Sequence, residues 1–516
     1  MARPVERAPG EQRGVRRVGI ADLGSNTARL VVFEYEPGAW FRLVDAVREP
    51  VRLGAGLARA GRLDPAAVGR ALAAVELFED YGAAVGLDAL EILATSAVRD
   101  AVNSEDVLAP IRRAGYSVRV LSGEEEAELG VLAVANSFTA TDGWVMDLGG
   151  GSAQVSRMRA RAYGGGRAYP LGAVRLTEQL LFGDPPAVGE IAALERLAAR
   201  ELGGVAAEIR RSGLPLFAMG GTIRNLARID QRLRAYPLPV LHGYRLARPA
   251  LDAVIDELGS LPLQQRRWVS GLRPDRGDII LAGALVFRWL MEAAGLEEVR
   301  VSGVGLREGA FFRGFLPAPH HVEDVRAFAV RNLARRYPQP AAHVRQVMRL
   351  ADRLFAALAP LHGLGPADRS LLAAACELHD IGAALDYYRH DRHGLYILMS
   401  AALPGFEHSE LALLSLLVRY HRKGAPRIGA YRGLLAAEDE GRLRCLTACL
   451  RTAESLERSR AGRVRDVAVD LDAEAIRLTL TAGEEPAVEL WEVRQHADLF
   501  AAAFGGRRLE AEARVL

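Results

Sequence analysis

One short pattern occurs twice in this chain, and it constrains the fold more than any bulk property. VGIADLGSNTARLVVFEY begins at Val18 and WVMDLGGGSAQVSRM begins at Trp144, which sets Asp22 and Asp147 about 125 residues apart. Each copy is an apolar run, an Asp-Leu-Gly turn and a returning apolar run, the pattern of a β-hairpin. A repeat at this spacing is a repeat of domains. It predicts two similar α/β lobes, each offering its hairpin loop to a shared cleft.

The intervening sequence supports this. DPAAVGRALAAVELFEDYGAAVG reads as an amphipathic helix with Asp64 as its N-cap, LEILATSAVRDA as a strand entering a helix, and VRVLSGEEEAELGVLAVAN as strand, turn and helix. Such alternation predicts an α/β fold. After about His320 the β signal fades and periodic helices carry most of the histidines, so an all-α domain follows. The tail from DVAVDLDAEAIRLTLTA returns to alternation and ends in a helical pattern, a small α+β unit. The expected boundaries are residues 15–132 and 133–318 for the two lobes, 319–462 for the helical domain and 463–516 for the tail.

Length and composition agree. The 516 residues exceed what one core usually supports, and half are apolar, a quarter charged, with a net charge of +2. That balance excludes a strongly basic nucleic-acid coat, and no nucleic-acid partner is expected. Lys423 is the only lysine, but a codon bias toward arginine explains this without any function. Cys376, Cys445 and Cys449 form neither a disulfide framework nor a paired metal motif and read as buried thiols of a reducing compartment. The first dozen residues read as disordered, without the apolar stretch of a secretory signal, and no run of 18 apolar residues occurs. A cytoplasmic protein with no membrane partner is expected.

The two loops point to phosphate. In Gly24-Ser25-Asn26-Thr27 and Gly149-Gly150-Gly151-Ser152, glycines let successive N–H groups face one concavity and hydroxyls add donors. The leading carboxylates, Asp22 and Asp147, can hold a cation.

The ordered set VGIADLGSNT, ATSAVRDA, LSGEEEA, VMDLGGGSAQV, PLGAVRLTE, AMGGTIRNLA, RPDRGDIILAGA and VSGVGLREGAFF resembles the Ppx/GppA phosphatases, exopolyphosphatases and guanosine pentaphosphatases of the wider actin, hexokinase and sugar-kinase superfamily. The helical half, with HDIGAALDYYRHDRHGLYILM and LLVRYHRKG, resembles the long form of that family. The resemblance implies two actin-like (RNase H-like) lobes forming a cleft, then an all-α HD-like domain and a small α+β C-terminal domain. It also implies roles. Glu126 matches the catalytic base, Asp147 the magnesium-binding carboxylate, and Asp22 its counterpart, with Glu126 near the same ion. Arg99 matches a phosphate-contacting residue, with Arg175, Arg276 and Gly221 as further contacts. Arg307 and Glu308 read as an interlobe ion pair rather than a catalytic couple. Gly303 stands where some relatives are expected to carry an aspartate.

The expected function is hydrolytic release of terminal orthophosphate from inorganic polyphosphate, dependent on Mg²⁺ or Mn²⁺. Guanosine pentaphosphate is the alternative substrate. A kinase of the same superfamily and a non-catalytic alarmone sensor are the rivals; SGEEEA and the helical domain argue against the first, and intact Asp22, Glu126 and Asp147 against the second. LVRYHRKG and the long architecture favour polyphosphate, with residues 421–427 as lining of a basic channel between the lobes and the helical domain. A homodimer is expected. In the HD-like domain, His343, His379, Asp380, His421 and Glu454 form a second metal set, with His393 nearby. Glu454 replaces the closing aspartate, which weakens any second hydrolytic activity and leaves helix-packing histidines as the plainer reading.

Overall fold

The structure, a computed structural model, describes residues 14–516, so the expectation about the first dozen residues lies outside it. The chain divides into two units. The first ends at Val325 and the second runs from Arg326 to Leu516 together with Pro237–Val240.

The first unit contains two sheets. Strands β1 (Arg16–Leu23), β2 (Ala28–Glu36), β3 (Trp40–Glu49), β4 (Ala89–Ala94) and β5 (Val118–Val120) form one, in the order β3-β2-β1-β4-β5. Strands β6 (Gly143–Leu148), β7 (Ala153–Arg159), β8 (Ala162–Tyr169), β9 (Leu216–Met219), β10 (Arg245–Ala247) and β11 (Glu298–Val301) form the other, in the order β10-β11-β9-β6-β7-β8. The two sheets repeat one plan. An antiparallel meander leads, its first strand then pairs in parallel with the strand that returns after a helix, and a further parallel strand follows. β10 is the one addition, antiparallel at the edge. Both Asp-x-Gly loops therefore leave the C-terminal end of a central strand, where α/β sheets place ligands.

Local signals act as read. Asp64 caps the Pro65–Val85 helix by accepting from Ala66 N at 3.0 Å and Ala67 N at 3.1 Å, and Gly86 ends it in the left-handed conformation. One helix sits differently from the expected boundaries. Gly123–Ala135 was placed in the first lobe, yet it packs on β6, β7 and β8 of the second. Val131, Val134 and Ala135 are buried there with Phe138, Phe217 and Met219, because the apolar side of this helix is wide enough to need a whole sheet face.

The Leu306–Phe315 helix spans the two sheets. Gly309 lies so close to the Gly123–Ala135 helix that a Cβ would stand 2.0 Å from Leu129 O. Its other side carries Phe311 and Phe315 into the first sheet, with Phe33 stacked on Phe311 at 4.2 Å and Phe41 beside both. This aromatic cluster fixes the helix start, and with it Arg307, against the end of β1.

In the second unit, helices Val325–Arg336, Ala341–Ala357, Pro366–Leu378, His390–Ser400, His408–Tyr420 and Asp439–Leu456 precede a small sheet. That sheet is β12 (Val464–Leu471), β13 (Ala475–Ala482) and β14 (Arg508–Val515), in that order. The tail ends in a strand rather than a helix, and β14 pairs in parallel with β13. One continuous core joins the helices to this sheet, from Val347 and Leu414 to Ile476, Leu478 and Phe500. The three cysteines are free and buried. No helix among the described residues is long and apolar enough to cross a membrane.

Candidate active site

The two loops have the same turn. Gly24 N donates to Thr27 O at 3.2 Å, and Gly149 N donates to Ser152 O at 3.0 Å, so Asp22 and Asp147 each stand two residues before the glycine that closes a turn. The loops abut. A Cβ on Gly151 would lie 2.5 Å from Ser96 Oγ and 2.8 Å from Ser25 Oγ, and one on Gly150 would meet Ser25 Cβ at 3.0 Å and Asn26 N at 3.4 Å. Ser25 and Ser96 share a hydrogen bond of 3.1 Å, while Asn26 O accepts from Arg52 N at 3.0 Å. Behind Asp147, Gly220 has φ +98° and leaves space that a Cβ would take from Leu148 O and Asp147 Oδ1. Its neighbour Gly221 lies directly under the Arg276 guanidinium, a Cβ there falling 2.2 Å from Arg276 Cζ.

Ser122 begins the Gly123–Ala135 helix with a capping box. Its Oγ accepts from Glu125 N at 3.1 Å, and Glu125 Oε2 accepts from Ser122 N at 2.8 Å. Glu125 is spent on the cap. Glu126, one residue on, points inward, its Oε1 accepting from Arg99 Nη1 and its Oε2 accepting from Gln154 Nε2 at 3.0 Å. Gln154 also donates to Ser152 Oγ at 2.9 Å, tying the glutamate to the second loop.

Burial pushes the Glu126 carboxyl up to about 7; Arg99 opposes the rise, and Asp147 and Asp22 add to it. Burial likewise pushes Asp147 up to about 6, opposed by Arg224 and assisted by Asp22. Asp22 is raised by burial too, against Arg307 and Arg29. Its Oδ2 accepts from Arg307 Nη1 at 3.2 Å, while its enclosed Oδ1 has no hydrogen-bond partner. Repulsion among the three carboxylates raises the pKa of Glu126 and Asp147, and the enclosed Asp22 Oδ1 without a partner is a hard oxygen donor of the kind a small divalent cation takes, although the three do not converge closely enough to form one three-carboxylate ligand group.

The arginines sort into distinct roles. Arg99 binds Leu121 O at 2.7 Å as well as Glu126. Arg175 donates to Gly151 O at 2.9 Å and pairs with Asp100 at 2.9 Å, so it ties the second loop to a carboxylate of the first lobe. Arg307 meets Asp22 and Glu308 accepts from Gly305 N at 2.7 Å, so the expected pairing of these neighbours gives way to an Arg307–Asp22 contact and a helix cap. Gly303 contributes its carbonyl, which accepts from Arg224 Nη1 at 2.9 Å.

Sequence reading missed Arg29, Arg224 and Gln154. Arg29 and Arg276 are each lowered to about 10, chiefly by burial and then by neighbouring arginines. Arg224 is lowered by burial and the nearby Arg307. Such crowding of cations beside carboxylates suits a polyanion. The only signal for Gln154 was a polar residue at a buried strand position, one it shares in kind with Ser156 two residues on.

In the second unit, His343, His379, Asp380, His421 and Glu454 do come together. His390 joins them in place of His393. His421, expected as channel lining, is buried in this cluster.

Two equivalent lobes, each giving an aspartate-led turn to one carboxylate-rich and arginine-rich centre, define an actin-like phosphate-handling enzyme. The Ppx/GppA phosphatase family model matches residues 31–317, and the model of Ppx/GppA phosphatase domain III matches residues 325–493. Exopolyphosphatase 1 of Mycobacterium tuberculosis and that of Mycobacterium bovis are each 31% identical over 306 residues, covering 58% of this chain and 88% of theirs. An exopolyphosphatase from Cytophaga hutchinsonii has the same fold, with a TM-score of 0.54 at 21% identity over 58% of this chain and 98% of that one. An exopolyphosphatase-like protein of known structure gives 0.50 at 26% identity, covering 58% and 97%. The chain belongs to the Ppx/GppA phosphatase family, in its long form. It is a phosphoanhydride hydrolase.

Proposed function

We propose that this enzyme is an exopolyphosphatase, releasing terminal orthophosphate from inorganic polyphosphate. The observation that carries the reading is Glu126, turned away from the helix cap and held by Arg99 and Gln154 beside Asp22 and Asp147. The relatives named exopolyphosphatase favour polyphosphate over guanosine pentaphosphate as the substrate.

Phosphoanhydride hydrolysis needs positioning and charge stabilisation more than covalent help. Glu126, raised to about 7, is matched to accept a proton from the attacking water near neutral pH. Arg99 can exchange its bond to Glu126 for one to the terminal phosphate, which frees the carboxylate when substrate arrives. The N–H groups and hydroxyls of residues 24–27 and 149–152 cradle the phosphoryl oxygens, with Arg276 above Gly221 on the leaving side. Asp22 and Asp147, with Glu126 nearby, would hold Mg²⁺ or Mn²⁺, which neutralises phosphate oxygens when bound.

The three buried free thiols suit a reducing compartment, so the reading places the enzyme in the cytoplasm. A homodimer is part of it and is checked by sedimentation. The deciding experiment compares phosphate release from long-chain polyphosphate and guanosine pentaphosphate, with and without Mg²⁺. Faster Mg²⁺-dependent release from polyphosphate is expected; preference for the nucleotide would make it an alarmone phosphatase, and release from neither would contradict the reading.

A further inference from the structure

The helix Gly221–Leu233 starts at the carboxylate centre and leads away from it. Gly220, the residue before it, lies so close to Asp147 that a Cβ would stand 2.8 Å from Asp147 Oδ1. Ile223, Leu226 and Ile229 turn the helix's apolar side into the core of the second sheet. Gly221, Arg224, Arg228 and Arg232 are among the positions left open. Spacings of three and four residues put them on one face of the helix. A rise of about 1.5 Å per residue sets Arg232 about 12 Å beyond Arg224.

A second row of arginines runs beside the first, in the opposite chain direction. The Arg276 guanidinium lies over Gly221, where a Cβ would fall 2.2 Å from its Cζ. Arg273 N donates to Asn225 Oδ1 at 3.0 Å, one helical turn further on. A Cβ on Gly271 would meet Arg228 O at 2.7 Å, at the next turn. Residues 276, 273 and 271 thus pass successive turns of the helix, and the two rows flank one strip of surface that begins at the carboxylate centre.

The charges along this strip are not balanced from within. The acids on the two segments are engaged elsewhere: Asp230 with Arg234 at 2.7 Å and Tyr244 Oη at 2.5 Å, Asp275 with Arg48, and Asp278 with Arg52 at 3.0 Å. Among the described residues, no carboxylate forms an ion pair with Arg228, Arg232, Arg273 or Arg276. Arg224 spends two of its donors on the carbonyls of Gly220 and Gly303. Burial lowers the Arg276 guanidinium to about 10, with Arg48 and Arg224 adding to the effect, and burial lowers Arg228 with help from Arg273 and Arg232. Guanidiniums that repel one another and lack a carboxylate favour a bound polyanion.

We propose that these two rows are the subsites for the polyphosphate chain behind the phosphate being removed, with Arg224 and Arg276 nearest the centre, Arg228 and Arg273 next, and Arg232 outermost. The inference rests on the exopolyphosphatase reading and adds to it the path of the chain. A guanidinium forks onto two phosphoryl oxygens, and a row of them at regular spacing matches a linear chain that carries charge on every unit. A nucleoside interrupts that charge with a sugar and a base. The competing reading is a solvated helix face, on which Arg228 and Arg232 only meet water.

Kinetics of the full-length enzyme with Mg²⁺ separate the two. The variant is Arg228→Gln with Arg232→Gln, and the control removes the same charge from an exposed helix, as Arg200→Gln with Arg211→Gln. KM and kcat are measured for long-chain polyphosphate and for guanosine pentaphosphate, and Ki for inorganic triphosphate as competitor. The variant should raise the long-chain KM about tenfold, keep kcat and the triphosphate Ki within about twofold, and lower the slope of log KM against log salt by about 1–2. The control should change none of these. A long-chain KM within about twofold of a parent enzyme that hydrolyses polyphosphate overturns the chain path and leaves the exopolyphosphatase reading standing. An equal rise for triphosphate, for guanosine pentaphosphate or in the control also overturns the path, and a parent enzyme that hydrolyses no polyphosphate overturns the path and the reading together.

Discussion

Glu125 and Glu126 are adjacent in sequence and turn to different partners. Glu125 closes the capping box on Ser122, while Glu126 accepts from Arg99 and Gln154 in the interior. The cap fixes the helix start, and one step of about 100° along the helix then carries the next side chain from solvent to site. A run of three glutamates thus yields one buried carboxylate in a fixed place.

Removing Arg99 should move the pH dependence of catalysis. Arg99 holds the Glu126 carboxyl down against burial, so Arg99→Ala leaves it higher than in the parent enzyme. The acidic limb of the kcat/KM profile should shift up by about one pH unit, since one unit corresponds to about 1.4 kcal/mol of lost favourable interaction. A profile displaced downward, or unmoved, would contradict the pairing.

Glu126 also predicts a stability change. Its native value of about 7 exceeds the unfolded value, so between roughly pH 4.5 and 7 the native state binds more protons than the unfolded state. Stability from this group is therefore present at low pH and lost as pH rises through about 7. In chelator, Glu126→Gln should gain on the parent enzyme by about 1–3 kcal/mol between pH 5 and pH 8, read from denaturant midpoints. Divalent cation should shrink that gain by compensating the charge.

Two glycines make a matched pair. A Cβ on Gly172 would fall 2.2 Å from Gly151 C and 2.3 Å from Gly150 O, while one on Gly203 would meet nothing within 4 Å. Gly172→Ala must displace the second loop and should lower kcat/KM at least about tenfold while costing about 1–3 kcal/mol. Gly203→Ala, in the Val188–Ser212 helix, should leave activity unchanged and stabilise by about 0.5–1 kcal/mol. Thermal melts and steady-state rates read both.

The repeat of Asp-x-Gly hairpins was legible because a strand–turn–strand pattern is local, and the two sheets follow from it with one strand order. What the sequence hid was long-range. Arg307 meets Asp22 across 285 positions because aromatic packing of Phe33, Phe41, Phe311 and Phe315 sets its helix there, and no local pattern encodes that distance. His390 replaced His393 in the buried cluster for a similar reason. Both lie near the start of one helix, three residues apart, and only the crossing with the His408–Tyr420 helix decides which faces His421. Strand β14 was lost in a charged tail whose Leu509, Ala511 and Ala513 alternate too weakly to outweigh the helical pattern before it.

The central claim is that Glu126 activates the attacking water while the loops and arginines bind the substrate. It is tested by comparing polyphosphate binding and single-turnover phosphate release in the parent enzyme and in Glu126→Gln with Mg²⁺ present. Binding within about threefold of the parent and release slowed by about 10²–10⁴-fold is the predicted result. Release within tenfold of the parent would contradict it.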